Sequence, residues 1–254
     1  MIGDGASRNL RTEYPKVSEH PKAAEYPKVS KYPKVSKYPK VPEYPKVSWN
    51  LAWASCLAAV VVGPWDQSVS KLFGQVSVRG DLNKAIALSE AFAHGWGVLV
   101  ILGTLLWIDV ANRSRLWFCA ASTATSGILA NVAKSLFARV RPYALEEAQG
   151  IDASSWLGLG SASFWDAAHR SFPSGHSATA VALALGLSWV YPRGWWIFAL
   201  LGIAACSQRL VSEAHYPSDV LAGAAIACVV TAVTHRIGLR PGVFSSEAGD
   251  FSRS

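Results

Sequence analysis

Hydrophobic residues in this chain gather into six runs, at about 49–64, 91–110, 116–133, 175–191, 195–208 and 217–234, with polar loops between them. Each run is roughly 15–20 residues long, close to the 17–25 that a helix needs to cross a bilayer. The pattern therefore predicts an all-α, polytopic membrane protein with six transmembrane helices. The first run is the weakest, because Asn50 and Ser55 interrupt it and Gly63-Pro64 ends it early; a five-span reading stays open. The division that follows is a tail over 1–48, a transmembrane domain over 49–236 and a short C-terminal tail over 237–254.

Composition agrees with the pattern. At 51% hydrophobic and 16% charged residues, with a mean hydropathy of +0.21, the chain is too apolar for an ordinary soluble domain of 254 residues. Trp49, Trp65, Trp107, Trp117, Trp189, Trp195 and Trp196 fall at the ends of runs, where an amphipathic ring prefers the headgroup layer; the competing reading makes some of them core aromatics. Cations set the orientation. Ten Lys and Arg lie in the first 48 residues, and Arg113, Arg115, Arg193, Arg236 and Arg240 fall on the same predicted side, which the positive-inside rule makes cytoplasmic. Both termini are then expected in the cytoplasm of a multi-pass cell-membrane protein. Cys56, Cys119, Cys206 and Cys228 sit within apolar runs and read as small hydrophobes rather than a disulfide framework. No cleavable signal sequence is expected, since the N-terminus stays polar for almost fifty residues.

The N-terminal segment repeats with period six, in copies starting at Tyr14, His20, Tyr26, Tyr32, Tyr38 and Tyr44, mostly as Tyr-Pro-Lys-Val-Ser. Proline at that interval excludes helix and sheet and leaves polyproline II or disorder. A two-edged ribbon of this kind suits anionic headgroups or an aromatic groove; the plainer reading is a solvated low-complexity extension. Its partner is left unassigned, and nucleic acid is not among the expected partners.

Three polar stretches carry the candidate chemistry, each at the junction of an apolar run and a loop. In the first, Lys134 and Arg141 lie seven residues apart, nearly two helical turns, which predicts two cations on one helix face with Pro142 ending that helix. Arg139 falls off that face and reads as a snorkelling surface cation. In the second, Pro173-Ser174-Gly175-His176 predicts a helix start with Pro173 in its first turn. Its amides, the Ser174 hydroxyl and the unobstructed Gly175 backbone suit an anion, and His176 can protonate a leaving oxygen. In the third, Arg209 ends one run, His215 lies in a short loop, and Asp219 follows in the first turn of a helix opened by Pro217. Asp219 can accept from Nδ1 of His215 and leave Nε2 as a nucleophile.

Together these stretches resemble the signature of the type-2 phosphatidic acid phosphatase family, related to vanadium haloperoxidases: K-x6-RP, PSGH and SR-x5-H-x3-D. The resemblance covers roughly residues 50 to 236. It implies a six-helix membrane fold and metal-independent, acid-phosphatase-type hydrolysis through a phosphohistidine, with no cofactor. It assigns Lys134, Arg141, Ser174, Gly175 and Arg209 to phosphate binding, His176 to general acid, and His215 with Asp219 to nucleophile and orienter. Gln208 stands where the family usually has Ser before the arginine. Six spans would bring all three stretches to the extracytoplasmic surface.

The expected substrate is a lipid phosphate, with phosphatidate, phosphatidylglycerophosphate and polyprenyl diphosphate all fitting, and membrane lipid as the surrounding partner. Loop 143–172, with Trp156, Trp165 and His169, and the pair Glu90 and His94 are candidates for shaping the headgroup pocket. Glu146, Glu147 and Asp152 lack metal-ligand spacing and read as solvated charges. Two other classes compete: a haloperoxidase, which the apolar spans oppose, and a non-catalytic lipid-binding or lipid-moving protein, which needs neither His176 nor the His215–Asp219 pair.

Overall fold

The computed structural model describes residues 44–75, 80–148, 154–160 and 166–239. The repeat copies before residue 44, Asp152, Trp165, Arg240 and the C-terminal tail lie outside the described residues, as do the side chains of Glu146 and Glu147.

Helix α1 (Tyr44–Val62) begins inside the last copy of the repeat, ahead of the position that hydropathy alone predicts. Pro45 lies in its opening turn, where a missing N–H costs no helical hydrogen bond. The Tyr44 hydroxyl donates to the carbonyl of Ser188 at 3.0 Å, and its ring meets His235 edge-on. Gly63-Pro64 does not end the helical path. It forms a tight turn, Gly63–Trp65, that leads into α2 (Asp66–Gln75), giving one helical stretch of 32 residues.

The remaining helices are α3 (Asp81–Leu88), α4 (Gly95–Ile108), α5 (Arg113–Leu136), α6 (Pro142–Ala148), α7 (Gly175–Val190), α8 (Trp195–Val211) and α9 (Pro217–Gly238). Four stretches are long and apolar enough to cross a bilayer: Tyr44–Gln75, Val110–Leu136, Pro192–Val211 and Pro217–Gly238. A fifth forms if Lys84–Phe92 and Gly95–Ile108, bent by 66°, are taken as one span. The remaining predicted span, the fourth run, is α7, which has only 16 residues. At 1.5 Å per residue it is about 24 Å long, short of a hydrocarbon core of about 30 Å.

Helix α7 is central, packed by α5, α8 and α9. Small residues make this close approach feasible: Ala178, Ala180, Ala182, Ala184 and Gly186 on α7 are all buried, as are Ala205 on α8 and Ala225, Ala227 and Ala232 on α9. Leu116, Cys119, Leu183, Leu187 and Trp189 complete the core. Large apolar side chains such as Trp53, Leu57, Leu99, Trp107, Leu200 and Ile203 instead face outward, the distribution expected where lipid rather than water surrounds the bundle.

Further expectations change here. The fold is not purely α, because β1 (Phe137–Arg139) pairs antiparallel with β2 (Trp156–Leu159). Trp189 is not an interfacial ring; it is buried against Phe118 and His235. Trp65, Trp107, Trp117, Trp195 and Trp196 are exposed, as an interfacial belt requires. Cys119 and Cys228 are buried, whereas Cys56 faces outward on α1.

Candidate active site

The site is assembled where α9 and α7 begin and α5 and α8 end. Tyr216 caps α9, Pro217 opens it, and the Asp219 carboxylate folds back to accept the Tyr216 backbone N–H at 2.9 Å. Asp219 is fully buried and also accepts the Ser171 hydroxyl and Arg139 Nη1, each at 2.5 Å. His215 is 2% exposed, and its Nδ1 lies 3.7 Å from Asp219 Oδ2, within ion-pair reach but longer than a hydrogen bond. Burial pushes the His215 ring down to about 4, so it is neutral at pH 7 with a lone pair for chemistry.

Helix α7 starts one residue after Ser174, whose Oγ accepts the Ser177 backbone N–H at 3.3 Å. Pro173 therefore precedes the cap instead of occupying the first turn. The Ser174 N–H donates to the Asp219 carbonyl at 2.9 Å, tying the two helix starts together. Gly223 makes the approach feasible, since a Cβ there would stand 2.3 Å from the Ser174 carbonyl oxygen. Gly175 is different: a Cβ would meet only the Asn131 side chain, at 3.7 Å. Packing among the described residues therefore does not by itself demand glycine at 175.

The cations reach the site by a route that spacing alone does not predict. Lys134 is in the last turn of α5 and 7% exposed, but the helix ends at Leu136, so Lys134 and Arg141 do not share a helical face. The chain passes through β1, Arg141 N–H donates to the Ala168 carbonyl at 2.8 Å, and Pro142 opens α6 rather than ending a helix. Lys134, Arg141 and Arg209 nevertheless act electrostatically on one another, and the first two act on His215. Arg209, in the last turn of α8, donates through Nε to Gln208 at 2.5 Å and through Nη2 to Glu90 at 2.9 Å. Gln208 thus holds the guanidinium from the position where the family signature has serine. His176 Nε2 lies 3.9 Å from the same Glu90 oxygen. All eight residues of the three stretches converge on one end of the bundle. Among the described residues, no group of three or more His, Cys, Asp or Glu is placed to hold a metal.

Residues 115–241 match the family model of the PAP2 superfamily. The chain belongs to that superfamily. Similar proteins include the lipid A 1-phosphatase of Rhizobium etli, 33% identical over 125 residues, which are 49% of this chain and 51% of that protein. The chain thus spans about half the length of that relative. The decaprenylphosphoryl-5-phosphoribose phosphatase of Mycobacterium tuberculosis is 32% identical over 164 residues, covering 63% of this chain and 81% of the relative. Among solved structures, the transmembrane PAP2-type phosphatidylglycerolphosphate phosphatase of Bacillus subtilis shares the fold, with a TM-score of 0.52, 18% identity, and coverage of 79% of this chain and 99% of that one. This PAP2 chain is a multi-pass helical membrane protein.

Arg139 overturns its sequence reading most clearly. It is not a surface cation: it is 2% exposed and lies between the rings of Tyr216 and Trp156, 4.0 and 4.5 Å from their centroids. Its Nη2 donates to Asp66 Oδ2 at 2.6 Å, and its Nη1 reaches both Asp219 and Ser218. Asp66 also accepts the backbone N–H of Ser218 at 3.0 Å and the Ser218 hydroxyl. Helical spacing misplaced Arg139 because β1 intervenes and turns it inward. Asp66 had one legible signal, a lone carboxylate two residues beyond the first apolar run, 49–64. Arg170, which pairs in β-bridge fashion with Arg139, acts electrostatically on Lys134 and Arg141 and is a further cation that spacing did not single out.

Proposed function

We propose that this PAP2 protein hydrolyses a phosphate ester of a membrane lipid through a phosphohistidine at His215, without a metal, at the extracytoplasmic face. The observation that carries the reading is a neutral, buried His215 whose Nδ1 faces a carboxylate held by three donors, with Lys134, Arg141 and Arg209 around it. Those cations and the α7 amides would neutralise the phosphate and its developing equatorial charge, the main requirement of phosphoryl transfer. Nε2 of His215 attacks phosphorus as the P–O bond to the lipid alcohol breaks, and His176 gives its proton to the departing oxygen; burial and Arg209 hold the free His176 ring down to about 4, so the bound phosphate dianion together with Glu90 must raise it for this step. Water then transfers a proton to His176 while attacking phosphorus, the P–N bond breaks, and phosphate and a neutral His215 result.

The two ends of the bundle support the sidedness. Arg115 stacks near Trp189 and Arg236 near Trp49, both remote from the site, and Tyr44 contacts Ser188 and His235 at that same end. A cytoplasmic location for this cationic end puts the site outside, with α7 counted as the sixth crossing. The names of the relatives, a lipid A phosphatase and a phosphatase for a decaprenyl-linked phosphoribose, favour an amphiphilic phosphate over a soluble one.

Phosphate release by the purified full-length chain, with excess chelator, from phosphatidate, phosphatidylglycerophosphate and a polyprenyl diphosphate tests the reading. Release that His215→Asn abolishes is expected. No release from any of the three would favour a lipid-binding protein.

A further inference from the structure

The phosphatase reading uses every charged group of the three stretches but leaves Glu90 without a role. Glu90 lies on the short 3-10 segment Ser89–Phe92, between α3 and the bend into α4. One oxygen of its carboxylate contacts both Arg209, at 2.9 Å, and His176 Nε2, at 3.9 Å, and the side chain remains 40% exposed. His94, four residues on, caps α4 with Nδ1 accepting the Trp96 backbone N–H, which leaves its proton on Nε2, and its ring stands 6.1 Å from that of His176. A carboxylate is an unusual neighbour for a phosphate cradle, because it repels the ligand the cations attract.

Resting on that reading, we infer that Glu90 is a specificity-determining residue that selects a lipid phosphate whose leaving alcohol carries hydroxyl groups and rejects diphosphates. His176, as the proton donor to the leaving oxygen, marks the side of the phosphate from which the leaving group departs, and Glu90 lies on that side. A diphosphate would put its second, anionic phosphate against the Glu90 carboxylate. The leaving group of a glycerol or sugar phosphate instead brings a neutral hydroxyl beside the scissile oxygen, which can donate to the carboxylate and accept from the His94 Nε2–H, while the phosphodiester charge of a substrate such as phosphatidylglycerophosphate stands at the far end of the glycerol. The same carboxylate thus repels one class and hydrogen-bonds the other, and discrimination comes from repulsion as much as attraction.

The test compares kcat/KM of the full-length protein in detergent for phosphatidylglycerophosphate, geranylgeranyl phosphate and geranylgeranyl diphosphate, with p-nitrophenyl phosphate reporting the phosphoryl-transfer machinery. The wild type should prefer the three lipids in that order. Glu90→Gln should raise the diphosphate relative to geranylgeranyl phosphate by about tenfold, the scale of one nearby partly screened charge, and lower phosphatidylglycerophosphate relative to the same reference. Glu90→Asp, which keeps the charge, should retain the rejection of diphosphate and guards against misfolding of the first variant. Equal change for all three lipids would show that Glu90 only competes with phosphate for Arg209, and unchanged ratios would remove it from specificity altogether; either result overturns the inference. Failure of the wild type to cleave even p-nitrophenyl phosphate or any lipid would sink the phosphatase reading itself.

Discussion

Arg139 joins Asp219 to Asp66, one guanidinium nitrogen 2.5 Å from the first and another 2.6 Å from the second. The carboxylate that faces His215 is thereby anchored through a single buried cation to the N-terminal helical stretch, far away in sequence. One guanidinium is shared by two buried carboxylates, and the negative charge left over is held by the Ser171 and Ser218 hydroxyls and by the backbone N–H groups of Tyr216 and Ser218.

Arg139→Leu should therefore destabilise the protein by about 3–5 kcal/mol, the cost of stranding buried charge when one partner of a pair is removed. Asp66→Asn keeps the hydrogen-bonding shape and should cost less. Because it acts through Arg139 on Asp219, it should lower kcat more than it changes KM. Thermal unfolding in detergent together with steady-state kinetics checks both, and a wild-type kcat in a folded Arg139 variant would disconnect the network from the chemistry.

His215→Asn should abolish the acid-labile phosphoenzyme trapped on rapid quenching. His176→Ala should still form it from an aryl phosphate with a good leaving group, but should slow lipid substrates by about 10²–10⁴-fold, the usual worth of a general acid. Equal dependence of the aryl phosphate on both residues at the first step would collapse the division of roles.

Gly175→Ala should fold normally, since its Cβ meets only Asn131 at ordinary contact distance. The methyl would occupy ligand space, so competitive inhibition by vanadate, which mimics the in-line transition state, should weaken by about tenfold or more. An unchanged inhibition constant would place the phosphate elsewhere.

The sign of the pH dependence follows from the His215 ring, held at about 4 by burial against an ordinary value of 6.5. The unfolded chain takes up a proton at residue 215 that the fold excludes, so the stabilisation is complete above about pH 6.5 and is lost as the pH falls through about 4. Wild-type melting temperature should drop more steeply across that window than that of His215→Asn, by the equivalent of at most one proton. Parallel profiles would show that the ring is already charged in the folded state.

Deleting residues 1–43 should leave turnover on detergent-solubilised lipid phosphate nearly unchanged, because the described chain begins at the end of the bundle remote from the site. The cut must spare Tyr44, whose hydroxyl holds the Ser188 carbonyl. In sealed right-side-out vesicles, added protease should leave the tail intact; cleavage there would reverse the proposed orientation.

Legibility in the sequence was uneven, and the unevenness has a physical pattern. The helix starts at Ser174-Gly175 and Pro217 were readable because caps and opening prolines are local signals, decided within one turn of backbone. The loop position of His215 and the first-turn position of Asp219 followed for the same reason. The assumption that Lys134 and Arg141 share a helix failed because a three-residue strand, stabilised by a partner some twenty residues away, replaces the helix after Leu136. Arg139 failed with it.

The sequence by itself determined the membrane class and the family and marked the eight candidate site residues, since bilayer length, local capping and motif chemistry are all written within short windows. Only the tertiary structure decided that α7 is a short enclosed helix, that Arg139 and Asp66 belong beneath the site, and that Glu90 meets Arg209 and His176. Those contacts join positions some 70 to more than 110 residues apart, and no periodicity within one segment encodes which distant charge will be buried against which.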